Sequence, residues 1–430
     1  MKKTDLVKTS IAVLFAASTS YGAGFALYQG SAAGNADFTS GMTKGGEPGS
    51  IYLNPAGITA VEGTQIQFGI INVAPKADFK GTNPYTGQQY KESAKEKIWP
   101  IPHAYVTHQL NDDWWLGLGL YTRFGLGAKF DENWFGRYNN YNAEIVSFNI
   151  NPVVAWKAND WLSLSTGLTI QYFDITLKQK IDAAGLAGMR NPNDPSPSPY
   201  DIDQSLEADD VGVGVNLGVM VKPMDKVNVG VAYHSRIKQK AEGQAKYKKP
   251  APVAAMMPGL FNDTDAHGRI TLPDMVMSAI TYDVTEKLSV GVGVTYTAWS
   301  TYDELKINFD NPIVPGKSSA TSKKDWDDAW RYTLGATYAY DDALTFRGSY
   351  TFDQSPMNNK HLDYIVPGDD RHIMSISAGY KVNSWTIDLF YFYEIIEDQK
   401  LAVNVASGVM PSESVDAQAH SFGLSVTKAF

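Results

Sequence analysis

Along most of the chain apolar residues recur at every second position. From Val211 to Val221 every odd residue is apolar, with Gly212, Gly214, Asn216, Gly218 and Met220 between them. The same alternation runs through Leu288, Val290, Val292, Val294 and Tyr296, and through Trp385, Ile387, Leu389, Tyr391 and Tyr393. Side chains alternate faces along a strand, so each segment has one greasy face and one small or polar face. About 14 such segments can be traced, near 63–73, 98–109, 115–124, 143–157, 162–178, 211–221, 227–238, 270–283, 288–303, 330–340, 344–352, 371–382, 384–394 and 419–430, most of them close to the length a tilted strand needs to cross a bilayer. The links between them alternate. Those after even-numbered segments are short and rich in turn formers, such as 110–114, 158–161 and 341–343, whereas those after odd-numbered segments are long, such as 179–210 and 239–269. A sheet with tight turns on one side and large loops on the other is the pattern of an all-β, transmembrane antiparallel β-barrel with both termini on the periplasmic side of a bacterial outer membrane. A soluble sandwich or propeller has no reason to alternate its connections so regularly.

The N-terminus supports export. Lys2, Lys3 and Lys8 precede an apolar core from Ile11 to Ala17, followed by small residues with Ser20 and Gly22 at the −3 and −1 positions of a cleavage before Ala23. Residues 1–22 are therefore read as a signal peptide, and the apolar core is too short to span a bilayer. Its loss removes three lysines and one aspartate, taking the net charge from −9 to −11. Residues 61–430 form the expected barrel. Between the two, residues 23–60 lack alternation yet carry Phe25, Leu27, Tyr28, Phe38, Ile51, Tyr52 and Leu53, more apolar surface than a solvated tail would hold. A hatch folded inside the lumen accounts for them, because an unplugged barrel of this size would leave an aqueous channel. Aromatics at strand ends and turns, namely Trp114, Trp115, Trp161, Tyr282, Trp299, Tyr340 and Trp385, read as interfacial girdles. The terminal Phe430 on an alternating last strand resembles the signal read by the barrel assembly machinery.

Composition looks soluble only because it averages two faces: 43% hydrophobic and 19% charged residues, with a mean hydropathy of −0.25. The absence of cysteine excludes thiolate metal sites, disulfides and cysteine nucleophiles, and suits an oxidising compartment. The acidic balance gives no footprint for nucleic acid. The histidines are scattered without metal-ligand spacing and no serine–histidine arrangement is recognisable, so neither catalysis nor a cofactor is expected.

The start Ala23-Gly24-Phe25, followed about thirty residues later by Asn54-Pro55-Ala56, resembles the FadL-type outer-membrane long-chain fatty acid transporters, a family that includes outer membrane protein P1 and aromatic-hydrocarbon channels. FGLGAKF from Phe124, DAWRYTLG from Asp328, YDDALTFR from Tyr340 and FDQSP from Phe352 look like family segments, in order along the chain. The resemblance implies a 14-stranded barrel with an N-terminal hatch and passive diffusion of hydrophobic ligands. Ligand is captured among the outer loops, passed to an internal pocket and released sideways at an inward kink of the third strand. Gly117, Gly119, Gly125 and Gly127 make a kink there physically plausible.

A fatty acid needs an apolar slot and a cationic or hydrogen-bonding partner for its carboxylate. Lys180, Lys323, Lys324 and Arg331 are the candidates for the carboxylate, each with an alternative as a loop or wall charge; Arg123 and Arg347 read as wall charges. Met256, Met257, Leu260 and Phe261, an apolar run inside a polar loop, are the candidates for a capture groove, with loop-to-loop packing as the alternative. Asn54, Pro55 and Ala56 shape the hatch, with gating implied by the resemblance. The expected surroundings are a hydrophobic ligand, outer-membrane lipids and the assembly machinery, for a chain acting as a monomer. An uptake channel for aromatic or other neutral hydrocarbons and an adhesin-like surface barrel are the rival readings.

Overall fold

The computed structural model describes residues 24–366 and 368–430; the expected signal peptide lies outside them. Fourteen antiparallel wall strands follow one another in chain order. They are β1 (Thr64–Thr82), β2 (Trp99–Gln109), β3 (Trp114–Tyr121, resuming as Gly125–Lys129), β4 (Asn142–Asn159), β5 (Leu162–Asp182), β6 (Asp201–Met224) and β7 (Val227–His234). The second half is β8 (Met275–Asp283), β9 (Leu288–Thr297), β10 (Ala329–Ala339), β11 (Leu344–Asp353), β12 (Arg371–Val382), β13 (Trp385–Ile396) and β14 (Ser412–Ala429). β14 pairs with β1 from Gln65 opposite Ala429 to Gly81 opposite Ser412, which closes the sheet into a barrel.

The alternation explains which side faces out. In β6, Val211, Val213, Val215 and Leu217 are all about half exposed, whereas Gly212, Gly214, Asn216 and Gly218 are buried toward the lumen. Trp114, Trp161, Tyr282, Tyr340 and Trp385 stand exposed at the short-turn end, as an interfacial girdle should. Trp115 and Trp299 depart from that expectation. Both are buried, Trp115 donating its indole N–H to the Val61 carbonyl at 2.7 Å and Trp299 packing edge-on against Phe25. Neighbouring positions on a strand point to opposite faces, so Trp114 and Trp115 cannot both face lipid.

Several strands outrun their apolar alternation at the long-loop end. β1 reaches Thr82, and β5 and β6 run paired up to Asp182 opposite Asp201. Beyond lipid there is no greasy face to maintain, so pairing continues where the sequence signal stops.

Residues 24–61 are enclosed by this wall. Three short helices, α1 (Ala32–Ala36), α2 (Phe38–Thr43) and α3 (Ser50–Leu53), lead into a 3-10 turn at Pro55–Ala60. Ser31 caps α1 by accepting from Gly34, and Asp37 caps α2 by accepting from Thr39 and Ser40. α1 packs on β11 to β14, α2 on β7 to β10, and the 3-10 turn on β3 to β6. Lumen-facing glycines make this fit possible. A Cβ on Gly230 would sit 2.0 Å from the Met42 carbonyl, and one on Gly218 would sit 2.3 Å from the Asn54 side chain. Gly117 and Gly119, expected to relax the third strand, instead clear room for Ile51.

Gly230→Val is expected to push α2 off the wall at a cost of about 1–3 kcal/mol while leaving strand pairing intact. Hydrogen exchange across residues 38–54 should accelerate without loss of the heat-modifiable gel mobility of the folded barrel. Unchanged protection there would refute the close-packing account.

Candidate functional site

The third strand of the wall is broken. Tyr121 pairs with Asn149 of β4, and four residues later Gly125 pairs with Val146, three residues back. The extra residue is a bulge, which bends the strand and re-aims its side chains. Ser147 of β4 spans the break, its hydroxyl donating to the Phe124 carbonyl at 2.6 Å and accepting from the Phe124 N–H at 3.2 Å.

On its other side β3 leaves β2. The two strands pair only between Ala104 opposite Leu120 and Gln109 opposite Trp115, although β2 stays paired with β1 up to Trp99. Gln109 donates its N–H to Gly63, on the β1 side, so odd-numbered residues of β2 address β1 and even-numbered ones address β3. The even positions along the unpaired stretch are Pro100 and Pro102. Neither has an N–H, so this edge of the opening carries no unmet donor. The free edge of β3 is met from within: Leu27 donates to the Arg123 carbonyl at 2.8 Å and Gly125 to the Phe25 carbonyl at 3.0 Å.

Two pockets lie between this opening and the long loops. The outer one, about 920 Å³ of empty space, is lined by Tyr138, Leu177, Lys178, Gln179, Gln204, Leu206, Leu305 and Ile307, with polar groups of the 320–322 and 406–407 segments. The inner one, about 410 Å³, is walled by Phe173, Ile175, Leu177, Leu206, Ala208, Ala241, Ile270, Leu305 and Ile307, with the 267–269 segment at its side. Leu177, Leu206, Leu305 and Ile307 belong to both and form the neck. Phe173, Ile175, Ala208, Ile270 and Leu305 are also part of one buried cluster with Phe25, Phe124, Leu126, Trp299 and Trp326. The apolar lining of the two pockets thus continues into a buried cluster that includes Phe124 and Leu126 of the third strand.

The cations expected to receive a carboxylate are already neutralised. Lys180 lies 3.4 Å from both Glu132 and Asp203. Lys323 pairs with Asp325 at 2.9 Å, and that hydrogen bond raises the lysine pKa. Lys324 is buried against Asp363. Arg331 pairs with Asp353 at 2.7 Å and lies over the Tyr28 ring at 4.2 Å. None of the four lines either pocket of the path. Lys178 does line the outer pocket and has no ion-pair partner among the described residues. Its period-two relation to Lys180 was the available signal, since both project to one side of β5.

The apolar loop run is divided by the fold. Phe261 is buried in a cluster with Ala183, Ile202 and Val253, with Met257 and Leu260 packed at its margin, so these join the two longest loops. Met256, ending the helix at Ala251–Met256, is exposed. Leu206 belongs both to this cluster and to the neck, so the loop packing braces the path. Asn54 is fully buried. Its amide donates to the carbonyls of Met42 at 2.9 Å and Val219 at 3.0 Å and accepts from Ala56, while Pro55 opens the 3-10 turn. Asn54 therefore ties two parts of the plug to β6.

A family model described as outer membrane protein transport protein (OMPP1/FadL/TodX) matches residues 13–430. The long-chain fatty acid transport protein of Salmonella typhi is 24% identical over the whole of both chains. Outer membrane protein P1 of Haemophilus influenzae is 24% identical over 91% of this chain and 90% of its own. Among solved structures, a Pseudomonas aeruginosa FadL homologue superposes with a TM-score of 0.81 at 22% identity, covering 94% of this chain and 99% of that one. The Pseudomonas putida toluene transporter TodX gives 0.67 at 16% identity, over 91% and 97%. The chain shares the barrel fold of that FadL homologue and belongs to the OMPP1/FadL/TodX family of outer-membrane transport proteins.

Proposed function

We propose that the protein admits long-chain fatty acids, or hydrophobic compounds of similar shape, across the outer membrane by passive diffusion. Ligand enters the outer pocket among the long loops, passes the Leu177–Leu206–Leu305–Ile307 neck, occupies the inner pocket, and leaves sideways between β2 and β3 into the lipid. Residues 23–60 act as the hatch that keeps the lumen closed to water while this happens. The two apolar-lined pockets that share a neck, and the buried apolar cluster that continues their lining to Phe124 beside the unpaired stretch between β2 and β3, support this reading. The orientation that follows puts the short turns and both termini on the periplasmic side, with the chain working as a monomer after insertion by the barrel assembly machinery.

Within this reading Lys178 is the cation best placed to meet a carboxylate in the outer pocket, because it lines that space and lacks an acidic partner among the described residues. The competing ligand class is a neutral hydrocarbon. In its favour, Lys180, Lys323, Lys324 and Arg331 are all held by acids, and the inner pocket's lining is almost wholly apolar.

Uptake of labelled oleate at limiting concentration, in cells lacking their own channel, tests the claim. Expression of this chain should restore uptake; failure there, with restored uptake of a neutral hydrocarbon, would favour the competing ligand. Lys178→Gln should weaken oleate capture about ten-fold and leave a neutral analogue unchanged. Leu305→Trp, which fills the neck, should lower uptake of acid and hydrocarbon alike by several-fold. If uptake of both persisted, the ligand would not pass the neck.

A further inference from the structure

Four lysines and arginines are buried among the described residues: Arg123, Arg137, Lys324 and Arg371. Three of them face carboxylates. Arg137 meets Asp201 at 2.8 Å, Lys324 meets Asp363, and Arg371 meets Asp353 at 2.6 Å and Glu394 at 2.9 Å. Arg123 has none. Its Nη2 donates to the Tyr52 carbonyl at 2.6 Å and lies 3.3 Å from Nε2 of His234, Nη1 faces the Met275 sulfur at 3.8 Å, and the Tyr121 ring lies 5.7 Å away. The guanidinium stacks 4.5 Å above the Tyr52 ring. A buried charge without a counter-charge is costly to keep, and a thioether is a weak acceptor.

The position of this bare cation gives it a use. Arg123 sits in the bulge of β3, beside Phe124, and touches Met275; Phe124 and Met275 both belong to the apolar cluster at the inner end of the path. Its side chain holds the plug at Tyr52, two residues before Asn54, and its backbone carbonyl holds the N-terminal segment at Leu27. Arg123 itself lines neither pocket; an acid leaving the inner pocket toward the opening would approach a guanidinium that has no counter-charge among the described residues, at the point where the plug is tethered.

We propose that Arg123 is a carboxylate-reading latch: the head group of an incoming acid takes the guanidinium from the Tyr52 carbonyl and so loosens the plug beside the lateral opening. The exchange runs in the favourable direction, because a bidentate guanidinium–carboxylate pair is shorter and stronger than a guanidinium–amide bond. The latch rests on the transport reading above and adds to it a ligand-class preference and a trigger. A neutral hydrocarbon would traverse the same path without releasing the tether.

The test compares oleate with oleyl alcohol on the purified full-length barrel, reading both affinity and hydrogen exchange of the 50–56 segment. In the wild-type protein, oleate should speed exchange of that segment and oleyl alcohol should not. Arg123→Met should weaken oleate binding about ten-fold, leave oleyl alcohol binding unchanged, and give fast exchange without any ligand. Arg123→Gln keeps a donor for the Tyr52 carbonyl but no charge, so it should restore basal protection and still fail to respond to oleate. A Gln variant that responds to oleate like wild type would reduce Arg123 to a structural tether and overturn the latch. So would equal losses of acid and alcohol affinity in Arg123→Met. Wild-type protein that binds neither compound would overturn the transport reading itself, whereas normal oleate binding with unaltered variants would remove the latch alone.

Discussion

A backbone inside lipid has no water to bond, so each N–H and C=O must find a partner within the protein. A closed barrel meets that demand everywhere, and a barrel with a side opening must meet it twice more, once on each lip. Here one lip is made of Pro100 and Pro102, placed at the two positions of β2 whose N–H groups would otherwise face the gap, so that lip presents carbonyls but no unmet donor. The other lip, the bulged part of β3, is paired by Phe25 and Leu27 from inside. The opening, the bulge and the placement of the N-terminal segment are thus one solution to one constraint. Removing the segment would strand backbone groups of β3 as well as unplug the lumen.

The same segment determines what the lumen strands can contain. The helices lie so close to the wall that β6 and β7 need glycine where Asn54 and Met42 approach. A strand interior is normally weakened by glycine, and the ladder hydrogen bonds on both sides offset that here. The small-residue face that alternates with the lipid-facing valines is therefore a surface shaped to receive the plug.

Much of this was legible in sequence because lipid imposes a strict period. The Val211–Val221 alternation and the short–long succession of links located all the wall strands and the side of the sheet carrying the loops. Where lipid ends the signal ends, which is why Asp201–Asp210 read as loop although it is paired strand. Single residues were harder. Trp115 and Trp299 share a residue type with the girdle, but register sends Trp115 inward and a 3-10 turn past the end of β9 carries Trp299 against Phe25. The candidate lysines were chosen by position and charge; nothing in one sequence shows that Asp203, Asp325 and Asp363 fold back to neutralise Lys180, Lys323 and Lys324. Pro100 and Pro102 were visible as an alternate pair, and their meaning appears only when the strand register tells which neighbour each faces.

The ion pairs also divide the lumen. Arg331, Asp353, Arg371 and Glu394 link β10, β11, β12 and β13 across the interior, and Arg347 pairs with Asp388 from β11 to β13. That side faces α1 and supplies Thr337, whose hydroxyl donates to Asp37 of the α2 cap. The opposite side, β3 to β9, supplies the apolar path. Charged groups inside a membrane protein are costly unless paired, so gathering them on one flank both anchors the polar helices and leaves the other flank free to stay greasy. Arg123 stands on the greasy flank without a carboxylate partner among the described residues. A cation kept there unpaired, where the plug, the path and the open lip converge, is the place at which a ligand's own charge could alter how the plug is held.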